Sequence, residues 1–357
     1  MRFNYLILAP ILILGLQAHA ADLSNATNIS ITKTWSQEPN SWTYPMAISV
    51  PEGEVPAGGF PVCVLLHGNG GNGPGMINGF RNVLECHALV APTGYANSWN
   101  ICGENSDAPD VEMVTELVEI LQACDNVNPD RIQLVGFSNG ASLANRAVIE
   151  NDNPGVTTIV AVVSQLSEFQ FQEDVFYGPS DSTDPDLDDC GYDTTHVVIP
   201  ERRYLSICNE NDPIIPYFGG TSPVGVDFIP AQWAAFFVAI TQGYQGDPIL
   251  GMGTEIGDTD VFEYSYLDGD VTHLRGFALH GMNPTQREYL VDFLGGCDVI
   301  IDCPGDINGD LMVNVDDVLA LIQAWDTPDP DADFDEDGLV DTDDLLFLLS
   351  QFGIVCN

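Results

Sequence analysis

The chain has 357 residues, and its 53 Asp and Glu outnumber nine Lys and Arg, for a formal net charge of −44. Phosphate recognition needs clustered basic side chains, so this balance argues against nucleic acid and against an anionic membrane surface as partners. At 45 % hydrophobic residues the chain can bury a proper core, and its length suits roughly two domains.

The N-terminus opens with Arg2, an apolar stretch from Tyr5 to Leu16 too short to span a bilayer, and the small-residue site Ala18-His19-Ala20. This order predicts a secretory signal peptide over residues 1–20, cut near Ala20, and an exported mature chain with no later membrane span. Export permits disulfides, and nine cysteines leave at least one free or paired between chains.

Residues 21–296 alternate strand-like and helix-like segments. Apolar runs at Val62–Leu66, Leu89–Ala91, Ile132–Val135, Thr158–Val163 and Tyr204–Ile207 read as buried parallel strands. Amphipathic stretches at Val111–Leu121 and Ala141–Ile149 read as helices between them, so the fold class is α/β with a doubly wound, mostly parallel sheet. Val261–Leu279 alternates around Asp268-Gly269 and predicts a late hairpin.

The first strand runs into His67-Gly68-Asn69-Gly70-Gly71, a loop able to present backbone N–H groups. A phosphate-binding loop is the competing reading, but no G-x-x-x-x-G-K-[ST] pattern is present and Lys33 is the chain's only lysine. Gly136-Phe137-Ser138-Asn139-Gly140 follows a predicted strand and precedes a predicted helix, the setting that pushes a serine hydroxyl out at a sharp turn. A serine hydroxyl needs a base, and in this arrangement an acid and then a histidine follow in the chain. His196, His273 and His280 follow Ser138. His280 is favoured because it opens a loop at the end of the late hairpin, where His273 falls inside a strand and His196 precedes the acid. Asp212, held before Pro213 at the end of a strand, is the favoured acid, with Glu210 its rival. The backbone N–H groups of Asn139 and Asn69 are the candidate oxyanion donors, with His67 propping the loop. Tyr95, Trp99, Phe137, Tyr217 and Trp233 are candidates to line an acyl pocket.

The composition breaks near Gly295–Pro304, predicting a linker at 297–302 and a second domain at 303–357 that holds no basic residue. A twelve-residue loop occurs there twice, 27 residues apart. Asp306, Asn308, Asp310, Asn314 and Asp317 occupy positions 1, 3, 5, 9 and 12 of the first; Asp333, Asp335, Asp337, Asp341 and Asp344 occupy those of the second. Alternating hard oxygen donors closed by a carboxylate suit calcium, with Met312 and Leu339 at position 7 offering backbone carbonyls. An apolar helix is predicted after each loop, beginning near Val318 and Leu345. Cys303 and Cys356 bracket the segment and could clasp its ends.

Two resemblances follow from these residues. LLHGNGGNG, LVAPTGYANSWN, GFSNGASLANR, NENDPIIPY and FALHG resemble, in family order, exported α/β-hydrolase esterases of the polyhydroxybutyrate depolymerase and feruloyl esterase type. That resemblance implies ester hydrolysis through an acyl-enzyme, with Ser138 as nucleophile, Asp212 as acid and His280 as base, and no cofactor for catalysis. The paired loop–helix repeats resemble a dockerin module, which implies calcium-dependent folding and docking onto a cohesin-like domain of another protein. Since dockerins typically attach enzymes to polysaccharide-degrading assemblies, the expected substrates are feruloyl or acetyl esters of polysaccharides. A polyhydroxyalkanoate depolymerase, a peptidase of the same fold and a non-catalytic scaffold are the alternatives.

Overall fold

The computed structural model describes residues 21–295 and 305–354, apart from 57, 182, 184–187, 309–311, 330, 331 and 336. The predicted signal peptide, the linker at 297–302, Asp310, Cys303 and Cys356 lie outside the described residues.

A nine-stranded sheet organises residues 21–295. In chain order its strands are β1 (Met46–Ser49), β2 (Phe60–Leu66), β3 (Ala88–Pro92), β4 (Val127–Phe137), β5 (Val156–Val162), β6 (Arg203–Asn209), β7 (Thr254–Glu255), β8 (Phe262–Tyr266) and β9 (Val271–Gly276). Across the sheet the order is β7-β8-β9-β6-β5-β4-β2-β3-β1. The six strands from β9 to β3 run parallel; β1 at one edge and β8 beyond β9 run opposite to them, and β7 at the other edge pairs antiparallel with β8. The hairpin expected around Asp268-Gly269 is β8–β9. Every strand expected from an apolar run forms, each reaching a residue or more beyond the run on at least one side.

Alternate residues of the central strands feed two cores, as the two-residue period of a strand requires. Val62, Val64, Leu66, Ile132 and Leu134 face α2 (Asp110–Gln122) and α3 (Asn139–Glu150). Cys63, Leu65, Val135, Leu205 and Ile207 face α1 (Gly73–Phe80) and α5 (Pro284–Leu294). Helix α4 (Ala231–Thr241) lies over β9, β6 and β8 and joins the same core as α2 and α3 through Ala234, Phe236 and Val238. Burying each such Val, Leu or Ile side chain contributes about 1.5–3 kcal/mol, so both faces of the sheet are fixed strongly. The N-terminal segment joins this core. Leu23 and Ile31 are buried, and the Asn126 amide accepts from the Leu23 N–H at 2.7 Å and donates to its carbonyl at 3.0 Å.

Residues 305–354 carry α6 (Val315–Gln323) and α7 (Thr342–Gln351), with their own small core of Val313, Leu321, Ala332, Val340 and Leu348. Each helix begins in a capping box. Asn314 and Asp341 cap the first turns, and the N3 carboxylates of Asp317 and Asp344 bond back to the cap amides at 2.8 Å. Among the described residues, no helix is long and apolar enough to cross a membrane.

Candidate active site

The carboxyl ends of parallel strands form one edge of the sheet, where α/β folds collect functional groups. Ser138 stands between the last residue of β4 and the first of α3, at φ 55° and ψ −119°. A non-glycine residue at positive φ costs about 1–3 kcal/mol, and its neighbours explain how the turn closes. A Cβ on Gly136 would lie 2.1 Å from the Gly140 carbonyl oxygen, and one on Gly140 would lie 2.2 Å from that of Leu66. Only glycine permits strand and helix to approach so closely here. The turn is tied by the Ser138 N–H to the Val162 carbonyl at 2.8 Å, which leaves the Ser138 side chain half-buried at the tip.

His280 lies four residues beyond the end of β9, so it sits in the loop after that strand and does not itself end it. Its Nε2 is 2.7 Å from Ser138 Oγ, and its Nδ1 is 2.7 Å from Asp212 Oδ2. The Asp212 side chain is almost wholly buried, three residues past the end of β6. Burial alone would raise its carboxyl. Hydrogen bonds from His280 and from the amides of Ile214 and Ile215 outweigh that effect and hold it below the ordinary carboxylate range. An imidazole so placed can take a proton from the hydroxyl while the carboxylate fixes its tautomer and stabilises the resulting cation.

The rival residues have other partners. His273 is fully buried in β9 between the Tyr217 hydroxyl, at 3.0 Å, and Ser206 Oγ, at 3.3 Å, and burial pushes it down to about 3. Glu210 is paired with Arg275. His196 ends a strand, Tyr192–His196, that pairs with Val175–Pro179 outside the central sheet.

Asn69 and Asn139 both border the cavity that holds Ser138. Asn139 is the first residue of α3, so its N–H has no carbonyl partner within the helix. His67 props the glycine loop. Its Nε2 accepts from the Gly94 N–H at 3.0 Å, which leaves Nδ1 to donate to the Gly68 carbonyl at 2.8 Å. The Asn139 side chain carries a second role that the pentapeptide pattern does not signal. It accepts from the Trp99 N–H at 2.7 Å and donates to the Trp99 carbonyl and to Glu104. Glu104 in turn accepts from the amides of Ile101 and Cys102, and a disulfide joins Cys102 to Cys190. The loop facing the serine is thereby tied to the serine's own neighbour.

The cavity measures about 270 Å³. Its lining includes the apolar side chains of Ile101, Ile214, Ile215, Val224, Val226 and Phe228 and the polar ones of Glu104, Asn105, Ser142, Ser164, Ser167 and Gln170. The five aromatic candidates do not line it. Trp99 is buried against His67 and donates to its carbonyl, and Tyr217 is buried against His273. Tyr95 packs edge-on with Trp35 and Trp42, and Trp233 lies against Phe236 and Phe237. Of the five, only Phe137 packs its ring against His280, in a T-shaped pair. The apolar lining comes from segments 101–105 and 214–228, turns and bends with one two-residue strand pair, Gly220–Thr221 with Asp227–Phe228, and without a periodic signal in the sequence.

In the C-terminal loops, carboxylate oxygens of Asp333, Asp335 and Asp337 all lie within 4.8 Å of one another. Among the described residues Asp333 Oδ1 is withdrawn from solvent with no hydrogen-bond partner, while its Oδ2 accepts from the Gly338 N–H at 2.9 Å. Although the Asp337 amide lowers the Asp335 carboxyl, the charges of Asp337, Asp344 and Asp333 and loss of water raise it on balance. Asp344 and Asp317 are fully buried. Each accepts three amides in the same pattern, Asp344 from Phe334, Asp335 and Asp341, and Asp317 from Ile307, Asn308 and Asn314. Asn314 and Asp341 accept from the amides two residues on. Asp306 lies just ahead of these contacts in the first loop, and Met312 and Leu339 keep partly exposed side chains at position 7.

A mostly parallel sheet with a strand–serine–helix elbow is an α/β-hydrolase-like fold. No protein-family model matches the chain. NocK of Nocardia uniformis subsp. tsuyamanensis, itself only provisionally named an esterase, is 29 % identical over 131 residues; the match covers 34 % of this chain and 36 % of that protein's length. Among solved structures, an acetyl xylan esterase from Aspergillus awamori superposes with a TM-score of 0.46 at 13 % identity, covering 70 % of this chain and 93 % of that one. A Bacillus cereus carboxylesterase does so with a TM-score of 0.43 at 13 % identity, with the same coverage of each chain.

Proposed function

We propose that the chain is a secreted serine carboxylic-ester hydrolase. The observation that carries this reading is the hydrogen-bonded line from Ser138 Oγ through His280 to Asp212, both links 2.7 Å long, at a strained elbow. In this reading Ser138 Oγ attacks the ester carbonyl and its proton passes to His280 Nε2. The amides of Asn139 and Asn69 receive the oxyanion. Collapse breaks the bond to the alcohol, which leaves with the proton from His280. Water, deprotonated by the same imidazole, then releases the acid from Ser138. The partial likeness to NocK is in keeping with an esterase.

The substrate proposed is a feruloyl or acetyl ester of a polysaccharide. A cavity lined by both apolar and polar side chains can accept an acyl group that carries both kinds of surface. Residues 303–357 are proposed as a dockerin-like module that binds two calcium ions and docks onto a cohesin-like domain. The second loop fits a cation through its three clustered carboxylates and an Asp333 oxygen that has no partner among the described residues. There Asp333, Asp335, Asp337, the Leu339 carbonyl, Asp341 and Asp344 would hold the ion. In the first loop the corresponding residues are Asp306, Asn308, Asp310, the Met312 carbonyl, Asn314 and Asp317. Bound calcium would supply folding energy by neutralising these carboxylates.

The test is a panel of p-nitrophenyl acetate, methyl ferulate, acetylated xylan, hydroxybutyrate oligomers and a peptide amide, with Ser138→Ala beside the wild type. Ester turnover should fall on the order of 10³–10⁶-fold in the variant, with an unchanged circular dichroism spectrum. Retained turnover in Ser138→Ala rejects the nucleophile, and faster cleavage of the amide than of any ester rejects the substrate class.

A further inference from the structure

His280 sits on a loop with no ladder to hold it, yet its imidazole bridges two partners at 2.7 Å. The backbone turns tightly there, with the Gly281 N–H bonded to the Leu279 carbonyl at 2.7 Å. The buried side chain of Asn209, the last residue of β6, reaches across from the neighbouring strand. Its Nδ2 donates to both carbonyls that flank the histidine, Leu279 at 3.3 Å and Gly281 at 2.7 Å. The Asn209 carbonyl accepts from the Asp212 N–H at 3.3 Å, so one residue holds both the base-bearing turn and the acid-bearing turn.

Asn209 is itself oriented from behind. Its Oδ1 accepts from Gln286 Nε2 at 2.9 Å, and Gln286 Oε1 accepts from the Asn283 N–H at 3.0 Å. Gln286 is fully buried at the start of α5. With these partners each amide has a single orientation that satisfies all its bonds. Gly276 leaves room for the pair, since a Cβ there would lie 2.5 Å from both Asn209 Oδ1 and Gln286 Nε2.

We propose that Asn209, oriented by Gln286, is the positioning residue that sets the His280 imidazole between Ser138 and Asp212. The proposal rests on the reading of those three side chains as the catalytic group. A shift of about 1 Å in a catalytic group costs up to about 100-fold in rate, which sets the expected scale.

The test uses the full chain with p-nitrophenyl acetate. Asn209→Ala removes the donors, Asn209→Asp sets a carboxylate against the two carbonyls, and Gly276→Ala crowds the pair without deleting a hydrogen-bonding group. In each, kcat should fall about 10- to 100-fold with KM within about twofold. The far-downfield imidazole N–H proton resonance of the His280–Asp212 pair should broaden or vanish, while Ser138→Ala keeps it. Asn126→Ala, which frees Leu23 from its clamp, is the control for lost stability alone and should keep both kcat and the resonance. If the Asn209 variants do not fold, Gln286→Met fills a similar volume, removes the orienting bond and carries the same expectation. Wild-type kcat with an intact resonance in Gly276→Ala and the Asn209 variants, or an equal loss of kcat in Asn126→Ala, overturns the proposal. Turnover surviving in Ser138→Ala is a different failure, that of the catalytic reading beneath it.

Discussion

Burial pushes the Asp110 carboxyl up to about 7, against the pull of the Asn100 amide, the Tyr44 hydroxyl and the Arg146 guanidinium. At Asp212 the same kind of donors win, and the carboxyl stays below its ordinary value. An unfolded aspartate titrates near about 3.9, so the two contribute to stability with opposite signs. Asp110, raised, contributes fully below that value and loses its contribution as the pH climbs through about 7. Asp212, lowered, contributes above it and loses its contribution only as the pH falls through the lowered value. Urea unfolding at pH 5, 6 and 7 separates them. The stability difference between wild type and Asp110→Asn should move on the order of 1–2 kcal/mol across that interval, a loss with rising pH that a lowered carboxyl such as Asp212 does not itself produce there. A flat line for Asp110→Asn would mean that its hydrogen bonds have overcome its burial. The result bears on the site because Asp110 accepts the Asn100 N–H at 2.7 Å, and Arg146 donates to the Asn100 carbonyl at 2.8 Å. Together they anchor the start of the loop that faces Ser138.

At the level of elements, the elbow depends on how closely α3 can approach β2. Gly140→Ala would drive a methyl into the Leu66 and His67 carbonyl oxygens, at 2.2 and 2.6 Å, and part the serine from the loop bearing Asn69. Ester turnover should fall at least about 100-fold, with a lower melting temperature. Gly79→Ala is the counterpart: nothing lies within 4 Å of that position in α1, so the same change should stabilise by about 0.4–1 kcal/mol and leave turnover unchanged. If both variants behave alike, packing at the elbow is looser than the structure implies. Elements of this kind were legible because they leave periodic or compositional marks. Ile132–Val135 can only be a buried run, Gly136 and Gly140 bracket Ser138, and Asp268-Gly269 marks a hairpin. Chain order together with position at strand ends and loops pointed to Asp212 and His280, which the fold brings within hydrogen-bonding reach of one another. The cavity was not legible. Ile214 and Ile215 belong to it because their amides grip Asp212 and turn their side chains toward Ser138's side, a consequence of tertiary closure with no period of its own. Trp99 and Tyr217, which suggested an aromatic lining, are drawn into the core by partners for their polar atoms, the His67 carbonyl and His273.

For the whole molecule the dominant quantity is charge. Of the 53 acidic residues, sixteen fall beyond Cys297, where no basic residue offsets them, and the buried core described there is only five residues. Carboxylates held within 4.8 Å of one another repel, so without a counter-ion the second loop works against its own fold. A divalent cation would reverse that term, and the folding of this region should then follow the metal. Trypsin has no Lys or Arg to cut beyond Arg287, whereas chymotrypsin can act at Leu345, Leu346 and Phe347 of α7 once that helix opens. In the full chain, EDTA should speed chymotryptic cleavage there at least about tenfold, as expected when loss of the ion removes at least about 1.4 kcal/mol of local stability, and excess calcium should restore resistance. Asp335→Asn separates repulsion from binding. With one charge fewer it should slow cleavage in EDTA and abolish most of the protection by calcium. Hydrolysis of p-nitrophenyl acetate should be indifferent to both reagents, because in the proposed mechanism His280, held by Asp212, moves the Ser138 proton itself. Equal cleavage with and without calcium would reject the calcium assignment. Loss of turnover in EDTA would instead place a metal requirement in the hydrolase-like part, where the acidic excess still has no mechanistic role.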